Sequence, residues 1–382
     1  MARPRRKPVR EADLKGFKYF KLVPPLLERL HDIGTARDKA GNRQLFFDQY
    51  VALLLLYFFN PIITSLRALQ QATELDKVQR LLGVGRQSLG SLSEATEVFR
   101  ADVLRQIVQE LAQRAMPLET GRQAEALAGL TAVDGSVLPA LSKMIWAMWK
   151  DAEHRAVRLH LHFDVLKGVP CDALLSPAAC SEPAHLKAML QPGRFYVMDR
   201  GYASYELLQD ILRTPCSFVL RVKENVGYGF RQERPLSEAA RAAGVTHDID
   251  IFRLGQLYGV ESFQHPLRLV IVRYRKADGT PDDLWLLTDR LELPPELVAL
   301  VYRYRWTVEL FFRWFKCVLG CRHLVANDAN GVAIQCYVAL IVSLLIVLWL
   351  GRKPNKRTWE MIQYYLIGWA SLDELTRHLS KN

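Results

Sequence analysis

The chain has 382 residues, half of them apolar, so it can bury a sizeable core and hold two or three domains. Lysine and arginine outnumber aspartate and glutamate by 51 to 40, a formal charge of +11 with a pI near 9.4, and this excess points to an anionic polymer as partner, with nucleic acid the first choice over any small-molecule substrate. The six cysteines (Cys171, Cys180, Cys216, Cys317, Cys321 and Cys336) form no CxxC pair and no Cys/His zinc spacing, and the first residues do not resemble a signal peptide, so the expected compartment is the reducing cytoplasm.

Met1 to Arg10 carries Arg3, Arg5, Arg6, Lys7 and Arg10 with no acid and reads as a basic tail, either a phosphate contact or a solvated extension. Gln44 to Phe59 reads as an apolar helix stopped by Asn60-Pro61. Three short helical patterns follow, Ser65 to Glu74, Lys77 to Leu82 and Ser93 to Phe99, punctuated by Gly83, Gly85 and Gly90. They suit a helix-turn-helix unit offering Arg67, Arg80, Arg86, Gln87 and Ser88 to DNA, and equally a plain bundle.

Ala126 to Val133 is an apolar run ending in Asp134-Gly135-Ser136, which places Asp134 at the tip of a strand. Arg155 to Val169 alternates and reads as a second strand, with a turn and a third strand near Lys167 to Cys171. His160 and His162 share a face of it, as a metal pair or as buried strand histidines. Gly193 to Met198 is another apolar run, closed by Asp199-Arg200-Gly201-Tyr202 before a helix from Ser204 to Leu212, so Asp199 repeats the placement of Asp134. Acids in such places also serve as caps. Ser217 to Lys223 is the next strand, with Arg221 and Lys223 on one face.

From Gly227 to Arg290 the pattern becomes alternating: His247 to Leu254, Tyr258 to Phe263, Leu267 to Tyr274 and Leu284 to Thr288, with a hairpin turn at Asp278-Gly279. This is a β-rich insertion. Trp285 within it is a core aromatic or a stacking platform.

Pro294 to Gly320 then predicts one long helix, apolar nearly all round. Tyr302, Arg305, Glu309, Arg313 and Lys316 recur on it at steps of three or four and fall on one stripe. Alone, the stripe reads as an ion-pair ladder from Arg305 through Glu309 to Arg313, or else as a metal-ligating Glu309 flanked by phosphate clamps. Tyr337 to Leu350 is strongly apolar but shorter than a membrane span, so a core helix is expected. Lys356 to Asn382 reads as one or two amphipathic helices.

The spacing Tyr302-x2-Arg305-x3-Glu309-x6-Lys316 resembles the Y-R-E-K signature of IS4-type DDE transposases, and Asp199-Arg200-Gly201-Tyr202 resembles the second-acid motif of that family. The resemblance covers roughly Ala126 to Leu350. It implies an α/β fold: an RNase H-like catalytic core, a mixed sheet flanked by helices, interrupted by the β-rich insertion and preceded by an all-helical DNA-binding domain. On this reading the domains are 1–120 (basic tail and helical DNA-binding domain), 121–226 (first part of the core), 227–290 (insertion), 291–350 (second part of the core) and 351–382 (helical tail).

Three carboxylates, Asp134, Asp199 and Glu309, suit a pair of Mg²⁺ ions, with Mn²⁺ able to substitute, because hard cations take oxygen ligands and two of them can clamp an in-line phosphoryl transfer. The resemblance further implies that Tyr302, Arg305 and Lys316 hold phosphates near the scissile bond, that Arg200, Arg221 and Lys223 bind transposon DNA, and that Trp285 stacks on a flipped base. The activity it implies is cut-and-paste transposition. The partners are double-stranded DNA, as terminal inverted repeats and as target, and a second copy in a synaptic homodimer, with no membrane. A structure-specific endonuclease and a catalytically inactive DNA-binding derivative are the alternative readings.

Overall fold

Apolar runs account for the N-terminal helices, two of them opened by a serine cap. The computed structural model describes residues 24–33, 42–118, 120–139, 144–147, 155–255, 263–320 and 324–380; the tail Met1–Arg10 and residues 258–262 of one expected strand lie outside the described residues. The chain divides into two compact units, one drawn from the described parts of Met1–Met116, Leu138–Val157 and Arg313–Asn382, the other from Pro117–Val137 and Arg158–Phe312.

The first unit opens with α1 (Pro24–His31) and α2 (Phe47–Phe59). The start of α2 is set by Gln49, whose side-chain oxygen accepts the Phe46 N–H at 3.1 Å. Ser65 caps α3 (Leu66–Ala72), Gly83 ends α4 (Asp76–Leu82) in the left-handed conformation at φ 62°, and Ser88 caps α5 (Leu89–Val98). A helix absent from the expected set, α6 (Ala101–Arg114), buries Leu104, Ile107, Val108 and Leu111 at helical spacing. Gln87 is not available to DNA: it is 3% exposed, its N–H donates to Thr73 and its amide donates to the carbonyls of Gln44 and Gly85.

The second unit is organised on one nine-stranded sheet. After α7 (Arg122–Ala126) come β1 (Leu130–Pro139), β2 (Ala156–Asp164), β3 (Val169–Pro177), α8 (Glu182–Ala188), β4 (Phe195–Met198), α9 (Tyr205–Arg213) and β5 (Ser217–Val222). The segment 227–290 adds β6 (Tyr228–Glu233), α10 (Glu238–Ala242), β7 (Val245–Leu254), β8 (Phe263–Arg275) and β9 (Pro281–Thr288). The strand order is β3-β2-β1-β4-β5-β9-β8-β7-β6. Strands β1, β4 and β5 run parallel, and from β5 outward each pairing is antiparallel, so the inserted strands continue the sheet that carries β1 and β4. Central β4 is buried on both faces, which is why it reads as the unbroken run Phe-Tyr-Val-Met.

The single helix expected over Pro294–Gly320 is two helices, α11 (Pro295–Tyr304) and α12 (Trp306–Cys317), meeting at Arg305. Around the joint the bonding tightens to steps of three, Arg305 N–H to Tyr302 O and Val308 N–H to Arg305 O, both 3.2 Å. The Thr307 hydroxyl takes the Tyr304 carbonyl at 2.7 Å, giving that carbonyl a partner outside the backbone ladder.

Back in the first unit, Asp328 caps α13 (Ala329–Leu350) and Gly351 ends it. At 22 residues it is longer than the expected segment and long enough to cross a bilayer, yet 89% of its most apolar window is buried inside the protein, which makes it a core helix. It packs against α6, α2 and α5. Asn330 fastens it there: its amide donates to the carbonyls of Thr96 and Phe99 at 2.5 and 2.6 Å, and its oxygen accepts the Ala101 N–H at 3.0 Å. Asn330→Ala is expected to cost about 2–3 kcal/mol in urea unfolding, since it strands three backbone groups at the α5–α6 joint; a change within error would mean that water replaces the amide. The chain closes with α14 (Lys356–Leu366) and α15 (Leu372–Ser380), α14 packing Trp359 on Phe59 at 5.2 Å.

Candidate active site

The register of β1 against β4 pairs Leu130 with Phe195, Thr131 with Tyr196 and Ala132 with Val197. Carried two residues further, the same register sets Asp134 level with Asp199 on neighbouring parallel strands. Asp134 is not at a strand tip as expected, because β1 runs on to Pro139. It stands instead where β1 has lost its pairing to β4, which leaves the carboxylate room beside the end of that strand. Asp199 does end β4, and it also caps the short turn Arg200–Tyr202, accepting the Gly201 N–H at 2.8 Å.

Both carboxylates are half-buried. Burial raises the Asp134 carboxyl to about 6, and the negative charges of Asp199 and Glu182 add to that rise, while the Gly135 N–H, at 2.8 Å, and the charge of Arg305 oppose it. Arg305 therefore lies within electrostatic reach of Asp134, and it holds Glu309 directly, Nη2 to Oε1 at 2.6 Å. The guanidinium also faces the ring of Tyr302, 5.6 Å from its centroid. Arg305 thus links the third acid to the first. Of the ladder read from the sequence, this Arg305–Glu309 step is formed.

The donor set is entirely oxygen and carries excess negative charge around Asp134 and Asp199, which fits a hard divalent cation. Among the described residues, no three ligating side chains already stand close enough to hold one. The carboxylate of Glu309 is engaged by Arg305.

The remaining candidates fall in different places. Arg200 and Lys223 line a cleft of about 830 Å³ together with Ser204, Tyr205 and Asn225. Arg221 is held in β5 opposite Leu286, whereas β5 stops at Val222, so Lys223 is released from strict alternation with it. Trp285 pairs with Val222 and Ile271, is half-buried against the core and meets Tyr228 edge-on at 6.1 Å. Lys316 lies two turns beyond Glu309, on the part of α12 that belongs to the first unit. His160 and His162 are packed as ordinary buried rings. His160 bonds Ser176 at 2.8 Å and stacks on His185 at 4.1 Å, with burial, then His185, lowering its pKa to about 3, and His162 meets Tyr196 edge-on.

Two charged residues of this site carry no signal in the sequence. Glu182, at the start of α8, is paired to Arg158 of β2 at 2.8 Å and touches the field of both aspartates. Only chain pairing brings β2, α8 and the two acidic strands together. Tyr202 lies buried beneath the same acids, its hydroxyl kept well above its usual pKa by burial and then by Glu182, Asp134 and Asp199.

Comparison with known proteins bears on residues 125–345, which match the transposase DDE domain family over more than half of the chain. A sequence named as a transposase from Sinorhizobium fredii is 27% identical over 64% of this chain and 67% of its own. One from Geobacillus stearothermophilus, named as the probable transposase for insertion sequence element IS5377, is 23% identical over 88% of this chain and 86% of its own. A third, from Synechocystis and named for element IS4SA, is 21% identical over 68% of this chain and 71% of its own.

Proposed function

Because this chain belongs to the DDE-domain transposases, and within them to the IS4 type, we propose that it cuts DNA at the ends of an insertion sequence and joins the freed 3′-OH ends to target DNA. One observation carries the reading: two aspartates level on parallel neighbours, with an Arg305–Glu309 pair in reach of the first. The strand order β3-β2-β1-β4-β5, with β1, β4 and β5 parallel, supports an RNase H-like core as the platform.

Asp134, Asp199 and Glu309 would hold the Mg²⁺ pair, for which Mn²⁺ can substitute, and the ions when bound would neutralise charge at the phosphoryl group in transfer. The chain's own residues do the rest. A DNA phosphate competes with Glu309 for the Arg305 guanidinium, and the carboxylate that is released turns towards Asp134 and Asp199. Tyr302 donates its hydroxyl to the same phosphate, and Lys316 and Arg221 neutralise the backbone further along. The cleft of Arg200 and Lys223 seats a strand beside Asp199. In the first step water attacks the phosphodiester at the element end and the 3′ oxygen leaves. In the next that 3′-OH attacks the opposite strand and the flanking 3′ oxygen leaves, giving a hairpin with Trp285 stacked on a displaced base. Water then opens the hairpin and restores the 3′-OH, which attacks the target as a 3′ oxygen of the target strand leaves. The helices before α7 bind the terminal repeats, and two copies synapse the ends.

The test incubates the purified protein and Mg²⁺ with DNA bearing its own element ends and a supercoiled target. Joined product is expected; cleavage without joining would favour a structure-specific endonuclease instead. Arg305→Ala is expected to lower the slope of log affinity against log salt by about 1, the signature of one lost phosphate contact. An unchanged slope in an anisotropy titration would remove Arg305 from the DNA.

A further inference from the structure

Glu182 stands where the two acidic strands come together, although it is far from both aspartates in sequence. Its Oε1 is bonded to Arg158 Nη1 at 2.8 Å, and the pair is largely sheltered, with side-chain exposures of 22% and 19%. A Cβ added to Gly135, next to Asp134, would lie 2.3 Å from Glu182 Oε1 and 2.9 Å from Arg158 Cδ, so only glycine lets the pair approach β1 this closely. A Cβ added to Gly201 would lie 3.0 Å from Asp199 Oδ1 and 3.5 Å from Glu182 Oε2. The two carboxylate oxygens thus flank a single point, separated by no more than those two distances end to end. The glutamate spends one oxygen on Arg158 and presents the other on the side of Asp199.

We propose that Glu182 is a fourth acidic member of this site, a positioning residue that supplies negative charge to the divalent-cation site of Asp134 and Asp199 and is itself held in place by Arg158. Without such a holder, a fourth carboxylate among like charges would turn away or take up a proton. Arg158 fixes the side chain through one oxygen and leaves the other directed at the site. The inference rests on reading Asp134 and Asp199 as a cation site.

The test titrates the full-length protein with Mn²⁺ alone and follows free Mn²⁺ by electron paramagnetic resonance, comparing Glu182→Gln and Arg158→Gln with the parent. Glu182→Gln keeps an acceptor for Arg158 and nearly the same shape, so the thermal transition is expected to hold while Mn²⁺ affinity falls about tenfold, as for other groups that support metal ligands. Arg158→Gln keeps an N–H donor to hold Glu182 while removing the positive charge, and is expected to tighten Mn²⁺ binding by roughly a few-fold. Parental affinity in Glu182→Gln would overturn the proposal. So would weakening in both variants alike, since a purely structural clasp loses function from either side. Should Glu182→Gln melt early, the direction of change in Arg158→Gln decides alone. Cleavage by Asp134→Asn, run in parallel, separates the two claims: an active Asp134→Asn sinks the transposase mechanism, whereas an inactive one beside a Glu182→Gln of parental affinity sinks only the role given to Glu182.

Discussion

Asp134→Asn is expected to abolish end cleavage, a drop of more than about a hundredfold, and at the same time to make the protein more stable. The second half follows from the raised carboxyl. Its pKa is about 6 in the folded chain, pushed up first by burial, against about 3.9 in an unfolded one. The folded state therefore binds the proton more tightly, so this group's contribution is most favourable below about pH 4, is lost as pH rises towards about 6, and stays lost at neutral pH. Two units of pKa correspond to a ceiling of about 3 kcal/mol, and partial exposure reduces the expected gain in Asp134→Asn to about 1–2 kcal/mol at pH 7. Unfolding in EDTA at pH 5 and pH 7 checks it: the parent should be less stable at the higher pH by this contribution, and the variant should lack that part of the difference. A variant less stable than the parent at pH 7 would show that the ionised carboxylate is compensated, and so is not waiting for a cation. Asp199→Asn and Glu309→Gln should lose cleavage to the same extent, and any of the three that cleaves at the parental rate is not part of the machinery.

Asp248→Asn is expected to cost about 3–5 kcal/mol. Asp248 and Arg268 are 2% and 3% exposed and share a two-pronged pair at 2.5 and 2.6 Å. The guanidinium reaches on to the carbonyls of Leu291, at 3.2 Å, and Leu293. Arg234, paired with Asp250 at 2.7 Å, adds a bond of 2.6 Å to the Leu291 carbonyl. The two arginines thus clamp the loop that enters α11, which leads to Tyr302, Arg305 and Glu309. Removing the Asp248 charge leaves a buried guanidinium uncompensated, whereas replacing both partners, as Asp248→Leu with Arg268→Met, removes the ion pair and its desolvation together. In urea titrations the double variant should recover part of the single loss. If it recovers nothing, the bonds to Leu291 and Leu293 matter more than the pair, and the loop itself is what the arginine stabilises.

Much of this was legible in the residues because it is local. Alternation marked β2, β7, β8 and β9, unbroken apolar runs marked β4 and α13, and the Gly and Pro breaks marked most of the ends. The motif spacing around Glu309 was legible for the same reason, since positions three and four apart on a helix share a face whatever the rest of the chain does. The split at Arg305 was not, because nothing in an apolar pattern records that one turn has tightened. Nor was the inward turn of Gln87, which depends on Thr73 and Gln44 from separate segments.

The sequence by itself determined most of the strands that carry the site, which three acids are candidates and which transposase family they belong to. Only the tertiary structure decided that Asp134 lies inside β1 rather than at its tip, that register sets it beside Asp199, that Arg305 occupies Glu309, and that Arg158 and Glu182 arrive beside Gly135. The physical reason is range: hydrogen-bond periodicity acts over a few residues and leaves its mark in the pattern of side chains, whereas the meeting of distant carboxylates is settled by strand pairing across long loops, which no local pattern encodes.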